Sequence, residues 1–521
     1  MNNRSLILIS LLLAAFAINL DTTIVNVALP TLVRELHASN SQLQWIVDAY
    51  NLVFAALLLA AGSLSDRLGR KGILLAGLSL FGLSSALGGF AANSGQLIAA
   101  RCFMGLGAAM VFPSTLSLIS NVFTDRAERA RAIGLWGATA GIAIALGPIV
   151  GGWLLGSFSW ASIFFALAPV AAVAAALVGR FVPTSRDTGV GPVDRPGFVL
   201  SSASMALLVY TVIEAPSYGW GSARSVAGFV LGLALLAGFV AWERRTSDPM
   251  LDVGLFRNPR FAAACAAVTV SFFTLLGFIF VMTQYFQFIK RYDALSAGVH
   301  LLPVAASVGV SSVLGTKLAV RFGTKLVVAS GLLMVTAFYV WVAAVVAPGN
   351  AYGLIAIQMV LYGTGMGLTS APATEAIMGV VPREKAGVGS AVNDTTRLLG
   401  GTLGVAVIGS VYASIYGAHL TTRLPQRLPH TLASVAHSSV GAALGVAEHL
   451  TGTGHAALGG SVEQAASGAF IKGLSAGCLV AAIVAAVGAV AAAVLLPAQP
   501  IALPDNVDEG ALASLATANS A

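Results

Sequence analysis

Long apolar stretches alternate with short polar ones along most of the 521-residue chain. A window of about 20 residues, the length that an α-helix needs to cross the hydrocarbon core of a bilayer, detects fourteen of these stretches. They lie near residues 6–30, 43–64, 72–92, 95–119, 131–156, 160–183, 197–215, 225–243, 261–289, 296–316, 326–347, 351–378, 387–416 and 466–497. The pattern predicts an all-α integral membrane protein with fourteen transmembrane helices, numbered as spans 1 to 14.

The polar segments between the spans predict the orientation. Most of the 28 Lys and Arg residues fall in alternate loops, on the same side as the N-terminus. Cytoplasmic loops of membrane proteins carry such an excess of positive charge, so both termini are expected in the cytoplasm. The first apolar run is too long for a secretion signal and contains Asp21, and we therefore predict that it is retained as span 1.

Composition supports a membrane protein and argues against other classes. Hydrophobic residues make up 57% of the chain and charged residues only 9%, against about 25% charged residues in an average soluble protein. The formal net charge is +7, but the basic residues occur singly or in threes between apolar runs, which does not favour a nucleic-acid partner. Cys102, Cys265 and Cys478 all lie in apolar segments, so neither a disulfide framework nor a metal cluster is expected.

Two motifs occur twice, and they predict an internal repeat. GSLSDRLGRKG at 62–72 resembles GTKLAVRFGTK at 315–325, and DRAERARAIG at 125–134 resembles PREKAGVGSA at 382–391. Both offsets are about 255 residues, as expected for two six-helix halves in the same orientation. The predicted organisation is a first half at 1–183, a linker with spans 7 and 8 at 184–260, a second half at 261–497 and a disordered cytoplasmic tail at 498–521.

An external loop is predicted within the second half, at 417–465. It contains five of the seven histidines of the chain. Their irregular spacing favours a flexible loop over a metal site. These histidines are His419, His430, His437, His449 and His455.

The turn between spans 2 and 3, loop 62–72, is dense in charge. Asp66 ends one helix, and Gly69 supplies the positive φ angle that a tight reversal needs. Three basic residues would keep any turn cytoplasmic, which is the simpler interpretation. The second copy of the motif has Ala319 near the place of Asp66, so the two halves are not chemically equal. The residues of interest are Gly62, Asp66, Arg67, Gly69, Arg70 and Lys71.

Ionisable residues inside the spans are few, and each costs about 2.5–3.5 kcal/mol at the bilayer centre. Helical rise puts Asp21 roughly 13 Å and Arg101 roughly 9 Å from the outer ends of spans 1 and 4, which makes them natural partners. The pair either orders the helical bundle or contains a proton-binding carboxylate. Asp48, near the outer end of span 2, either assists the pair or is solvated at the mouth.

Span 5 contains the small-residue segment GIAIALGPIVGG. Glycines four residues apart allow helices to approach closely, and a proline weakens the local hydrogen-bond ladder. The segment therefore predicts a packing seam or a bend, formed by Gly147, Pro148, Gly151 and Gly152.

Candidate substrate contacts come from aromatic and amide side chains of span 9 and from four other spans. An aromatic wall with a few amides suits bulky lipophilic compounds, and cations gain from ring faces. Alternatively, most rings of span 9 face lipid. Asp394 in span 13 is either a second site for a proton or a cationic substrate, or a partner of Arg397 three residues on. The candidates are Tyr50, Trp136, Phe273, Gln284, Tyr285, Gln287, Tyr362 and Asp394.

Six segments together resemble a known family. They are LDTTIVNVALP, GSLSDRLGRKG, LIAARCFMGLGAA, GPIVGG, PMLDVGLFRNPRF and VGSAVNDTTRLLGGTLG. They are similar to the fourteen-span drug:proton antiporter branch of the major facilitator superfamily, the EmrB/QacA type, over residues 6–416. The resemblance implies the fold of that superfamily, a conformational latch in loop 62–72 that acts against the other half, and a GPxxGG seam that seals the inward route. Ala143, Met104 and Ala161 depart from the family pattern.

The residues and the resemblance predict a secondary active multidrug exporter, not an enzyme. It exchanges protons for lipophilic, often cationic compounds by alternating access, as a monomer in the lipid bilayer of a bacterial cytoplasmic membrane. No cofactor, metal or nucleic acid is expected, and the chain has no phosphate-binding loop of the GxxxxGK[ST] form. The alternatives are a proton-coupled exporter of an endogenous lipid or a siderophore, and a membrane-embedded enzyme or scaffold.

Overall fold

Helices dominate the fold. The structure is a computed structural model that describes residues 3–123, 126–185, 194–246, 253–380 and 386–497, together with residues 249 and 251. The predicted tail at 498–521 lies outside the described residues. The helices are α1 (Asn3–Leu36), α2 (Asn40–Leu68), α3 (Arg70–Gly89), α4 (Ser94–Val122), α5 (Arg126–Ser157), α6 (Ala161–Phe181), α7 (Arg195–Tyr218), α8 (Ala223–Glu243), α9 (Pro259–Gln284), α10 (Ala294–His300), α11 (Leu302–Phe322), α12 (Thr324–Val345), α13 (Tyr352–Met378), α14 (Ala386–Arg423), α15 (His430–Ser438), α16 (Val440–Gly452) and α17 (Ala456–Leu495), with a 3-10 turn at Val253–Arg257 and a π-helical turn at Tyr285–Ile289.

Twelve helical stretches in the described residues are long and apolar enough to cross a membrane. This number supports a multi-pass membrane protein but not the predicted count of fourteen. The two predicted spans that are not among the twelve are 43–64 and 131–156, which correspond to α2 and α5. Some side chains of both helices lie outside the described part of the chain, and the count of fourteen stays a prediction.

Side-chain caps explain where several helices begin. Ser39 Oγ accepts a hydrogen bond from the Gln42 N–H at 3.3 Å, and Gln42 Oε1 accepts one from the Ser39 N–H at 3.0 Å. This reciprocal pair is a capping box, which satisfies two backbone donors at the start of α2. Asn93 caps α4 in the same position. A hydropathy window does not detect the polar residues at helix ends, so the helices are longer than the predicted spans. For example, α1 covers residues 3–36 rather than 6–30.

Two glycines end equivalent helices of the repeat. Gly69 ends α2 with φ of +114°, and Gly323 ends α11 with φ of +90°. Only glycine adopts this region at little cost. The two glycines align with each other, which puts Val320, rather than Ala319, at the position that Asp66 holds in the first copy.

Six long helices before the α7–α8 hairpin and six after it pack in the same pairwise order. In the first group α1 packs on α5, α2 and α3 pack on α4, and α3 packs on α6. In the second group α9 packs on α14, α11 and α12 pack on α13, and α12 packs on α17. This correspondence is expected for parallel repeats. We call the two groups the first half and the second half.

The halves touch each other near the turn between α1 and α2, which we call the α1–α2 end of the bundle. Gln44 Nε2 of α2 lies 3.4 Å from Val405 O and 3.4 Å from Ser410 Oγ of α14. Gln287 Nε2, from the π-helical turn after α9, donates to Val27 O of α1 at 2.9 Å. The opposite end, where Gly69 joins α2 to α3, is called the α2–α3 end.

The segment 417–465 is helical rather than the flexible loop that was predicted. It forms the end of α14, all of α15 and α16, and the start of α17. Apolar side chains such as Val440 and Leu444 recur every three or four residues of α16 and are buried. Gly441 packs so closely on Phe288 that a Cβ atom would lie 2.7 Å from the ring. The prediction was wrong because the Ala, Gly and Ser content of the segment obscured this helical period.

Candidate functional site

A buried ion pair joins α1 to α4. Arg101 Nη1 lies 2.6 Å from Asp21 Oδ2, and the two side chains are 1% and 0% exposed. Arg101 Nε also donates to Ile46 O of α2 at 2.9 Å. The guanidinium lies 4.3 Å from the centroid of the Tyr50 ring, within the range of a cation–π contact. Three helices thus hold Arg101 against Asp21, in the pairing that the sequence predicted.

The carboxylate of Asp21 is only partly engaged by these contacts. Asp21 Oδ1 is buried and has no hydrogen-bond partner among the described residues. The nearby Tyr50 hydroxyl donates to Ile18 O at 3.1 Å instead. A carboxylate whose second oxygen is unengaged can take up a proton there while the first oxygen still faces Arg101. The role of the pair in proton coupling stays a prediction.

Asp48 lies on a different face of α2 from the ion pair. It shares that face with Gln44 and Asn51, at the spacing of one helical turn on either side. Asp48 is 0% and Asn51 1% exposed, so the alternative of a solvated Asp48 is wrong for this conformation. Both carboxylate oxygens of Asp48 and both amide atoms of Asn51 lack a hydrogen-bond partner within the described residues. The face that carries them also carries Gln44, which contacts α14 of the other half.

Two residues of the predicted seam in α5 pack against α1. Gly147 and Gly151 lie four residues apart, and both face the turn of α1 that contains Ile24. A Cβ atom on Gly151 would lie 2.9 Å from Ile24 Cγ1, and one on Gly147 would lie 3.0 Å from Ile24 N. These glycines therefore permit close helix packing inside the first half.

The other two residues of the seam reach the second half. A Cβ atom on Gly152 would lie 2.5 Å from Ala294 O and 2.5 Å from Leu295 Cα of α10. Pro148 meets the same short helix, since a Cβ atom on Gly298 would lie 2.7 Å from the Pro148 carbonyl carbon. These four residues thus make close contacts between helices, and the functional role of the seam stays a prediction. In this conformation it joins the halves near the α1–α2 end, which the charge bias predicts to face outward.

Loop 62–72 is tied to the end of α6 and to the residues just after it, in its own half. The Arg70 N–H donates to Ser185 O at 2.9 Å. Lys71 Nζ donates to Gly179 O at 2.9 Å. These two contacts fix the turn that begins at Gly69.

The two charges at the centre of the loop are Asp66 and Arg67. The side chains of Asp66 and Arg67 lie outside the described residues. Gly62 lies against α4, where a Cβ atom would meet Pro113 Cβ at 3.5 Å. The conformational latch therefore stays a prediction.

The predicted substrate contacts of the first half, Tyr50 and Trp136, are linked through the rings of Phe54 and Phe112, whereas Gln287 lies between the halves. Tyr50 belongs to the surroundings of the ion pair. Trp136 of α5 is buried, and its Nε1 donates to Thr115 Oγ1 at 3.1 Å. Gln287 bonds to Val27 O, so its amide bridges the halves.

The remaining aromatic candidates are buried in the second half. Tyr362 is 0% exposed, and its hydroxyl lies 3.3 Å from Thr274 Oγ1. Tyr285, Phe273 and Gln284 are also buried. Phe273 of α9 and Tyr285 of the π-helical turn after it therefore do not face lipid, against that alternative. Five aromatic candidates belong to one buried apolar cluster that runs through both halves: Tyr50, Trp136, Phe273, Tyr285 and Tyr362.

Asp394 has an intrahelical partner, Arg397, as one of its two interpretations predicted. Arg397 Nη1 lies 4.0 Å from Asp394 Oδ1. Arg397 Nη2 also donates to Thr374 Oγ1 at 3.2 Å, and its guanidinium lies 5.3 Å from the centroid of the Phe272 ring. A role of Asp394 in binding substrate or a second proton stays a prediction.

Residues 11–405 match the model of the Major Facilitator Superfamily. The chain belongs to this superfamily of transporters. The predicted fold is thus confirmed at the level of the superfamily, and the fourteen-span branch is not. Membership also favours transport over the enzyme alternative.

Two curated relatives and one solved structure illustrate the similarity. The chain is 37% identical to the multidrug efflux pump LfrA of Mycolicibacterium smegmatis, over 77% of this chain and 79% of the relative. It is 34% identical to the methyl viologen resistance protein SmvA of Salmonella typhimurium, over 78% and 81% of the two chains. A bacterial homologue of the human lysosomal transporter Spinster superposes with a TM-score of 0.63 at 17% identity, covering 94% of this chain and 96% of that one. The last similarity shows the fold alone.

Two polar residues near the interface of this transporter were not predicted. Asn51 lies three residues after Asp48 on the same helical face, and that spacing was the available signal. Glu214 of α7 accepts hydrogen bonds from Ser41 Oγ and Trp45 Nε1 of α2, at 2.7 and 3.1 Å. It was missed because it lies at the end of an apolar span and belongs to none of the motifs.

Proposed function

We propose that this chain is a multidrug exporter that exchanges protons for lipophilic, often cationic compounds. The observation that carries the proposal is the buried Asp21–Arg101 pair in a major facilitator chain. An ionisable group inside a membrane bundle marks a proton or substrate pathway more often than a purely structural contact. The names of the relatives, a multidrug efflux pump and a methyl viologen resistance protein, support drugs as the cargo.

Asp21 is the proposed proton carrier. With a proton on its carboxyl group the pair changes from neutral to a net charge of +1, because Arg101 stays charged. Arg101 belongs to α4 and donates hydrogen bonds to Asp21 of α1 and to Ile46 O of α2. The change in net charge therefore acts on three helices at once. For a neutral compound, one proton that crosses a potential of 100 mV supplies about 2.3 kcal/mol, which is more than tenfold accumulation. Exchange of one proton for a monovalent cation moves no net charge, so the pH gradient alone drives it.

Asp48 is a proposed second group in the coupling. A buried carboxylate without a basic partner needs a proton or a cation to neutralise it. Both of its oxygens lack a hydrogen-bond partner in the described part of the chain, and the face that carries them also contacts α14. A proton and a cationic compound that competed for this face would exchange with each other.

The conformation described is proposed to be the one that is closed toward the outside. We assign the α1–α2 end to the outer face, as the charge bias predicts. Contacts of Gln44 with α14 and of Gly152 with α10 close that end. Export requires that these contacts part while the α2–α3 end closes, and loop 62–72 is the proposed latch there.

Fourteen spans with both termini in the cytoplasm complete the proposal, together with a monomer as the functional unit. The two helices that would raise the count from twelve are long enough: α2 has 29 residues and α5 has 32. At 1.5 Å per residue both exceed the hydrocarbon thickness of about 30 Å. These features are those of the EmrB/QacA type.

The proposal is tested with purified protein in liposomes that hold a pH gradient. A panel of lipophilic cations, neutral drugs and lipids is added, and the gradient is followed with a pH-sensitive dye. We expect the cations to dissipate the gradient with the wild type and not with Asp21→Asn. Glu35→Gln, which removes an exposed acid from the same helix, is the matched control and should behave as the wild type. If no cation or drug moves protons in the wild type, drug:proton exchange is refuted.

A further inference from the structure

The α7–α8 hairpin touches both halves at the α1–α2 end. Its first helix, α7, packs against α2 of the first half and α14 of the second. A buried apolar cluster joins all three helices and contains Leu52 of α2, Val209 and Val212 of α7, and Ala406 of α14. If α2 and α14 part at this end, α7 must therefore lose its contact with one of them.

Glu214 anchors the hairpin to α2. Its Oε1 accepts hydrogen bonds from Ser41 Oγ at 2.7 Å and from Trp45 Nε1 at 3.1 Å. The Trp45 ring also lies 6.1 Å from the Tyr210 ring of α7. Hydrogen bonds to an ionised carboxylate are about twice as strong as bonds between neutral groups.

The contacts of the hairpin with α14 are of the weaker, neutral kind. Ser410 Oγ donates to Val212 O at 2.7 Å. Trp220 Nε1, in the turn between α7 and α8, donates to Ser414 Oγ at 3.0 Å. Trp220 is 42% exposed, so its N–H can bond to water once α14 moves away, and only the modest net energy of one neutral hydrogen bond favours the closed contact.

We propose that the α7–α8 hairpin is a clasp that moves with α2 and releases α14 when the α1–α2 end opens. The inference rests on the alternating access of the proposed function. In both conformations Glu214 keeps its two donors on α2. The bonds from Ser410 and Trp220 exist only in the closed conformation. Through these bonds the clasp stabilises the closed conformation relative to the open one.

A matched pair of tryptophan substitutions tests the direction of release. Trp220→Phe and Trp45→Phe each delete one indole N–H donor and keep an aromatic ring, but on opposite sides of the hairpin. Spin labels on cysteines at Glu35 and Thr422, exposed positions at the ends of α1 and α14, report the separation of the halves. The labelled protein lacks its three native cysteines and is studied in lipid nanodiscs by pulsed electron resonance.

The expected result is asymmetric. Trp220→Phe should raise the ratio of long to short distances about fivefold, as expected for one neutral hydrogen bond lost from the closed state alone. Trp45→Phe should leave the ratio unchanged. Ser414→Ala and Ser41→Ala repeat the comparison from the partner side and should give the same contrast.

Three results would overturn the inference. They are equal ratios in all variants, equal shifts on both sides of the hairpin, and a shift with Trp45→Phe alone, which would show that the hairpin moves with α14. The distances do not depend on transported compounds, so loss of the clasp is distinguished from failure of proton exchange in the liposome assay.

Discussion

Gly152 is the position where one methyl group should separate the two halves. In Gly152→Ala the new Cβ would lie 2.5 Å from Ala294 O and from Leu295 Cα, and 2.8 Å from the Ala294 carbonyl carbon. Favourable contacts lie near 3.5–4.0 Å, so α5 and α10 must move apart by about 1 Å. The atoms in contact are backbone atoms of a helix and cannot rotate away.

The expected effect is a change in the balance of conformations. Overpacking of this kind costs about 1–3 kcal/mol. Only the conformation in which α5 touches α10 carries the cost, so its population relative to the open one should fall roughly 5- to 150-fold.

The spin-label pair at Glu35 and Thr422 measures this balance directly. Gly156→Ala is the matched control, since it lies one turn further along α5 and a Cβ atom there has nothing within 4 Å. Gly151→Ala should lower thermal stability without lengthening the distance, because its clash with Ile24 lies within one half. Wild-type distances in Gly152→Ala, or an equal lengthening in Gly156→Ala, would show that contact between α5 and α10 does not hold the halves together.

Two further predictions concern stability and can be checked by thermal denaturation. Arg101→Ala should destabilise the fold by about 3–5 kcal/mol because it leaves Asp21 buried without its partner. Addition of Asp21→Asn to this variant should recover part of the lost stability. A further loss in the double variant would contradict this explanation. Gly69→Ala should cost about 1–3 kcal/mol because the φ of +114° strains any other residue. Gly72→Ala, where a Cβ atom meets nothing within 4 Å, should be tolerated, and equal losses for the two variants would count against the cap.

Some features of the site could be predicted because membrane helices allow few exceptions. Charges inside the spans are rare, so the similar estimated depths of Asp21 and Arg101 were enough to pair them. Glycines four residues apart in span 5 were likewise enough to predict close packing of Gly147 and Gly151. In both cases the signal is local and depends only on helical geometry.

Other features depend on contacts between distant helices. The sequence around Pro148 does not show that Pro148 and Gly152 contact α10, because the packing of the two halves decides which helices meet. The same holds for Asp48, whose face on α2 decides whether it meets Arg101 or faces the interface. Glu214 acts through a hairpin whose position between the halves no motif reveals.

The central claim is that one protein carboxyl group, Asp21, exchanges a proton for substrate. Its most direct test is the release of protons when substrate binds, measured with a pH-sensitive dye in weakly buffered solution of the purified protein. We predict that a lipophilic cation releases protons from the wild type and from Glu35→Gln, and that Asp21→Asn binds the compound but releases fewer protons. Equal release from Asp21→Asn would contradict the account.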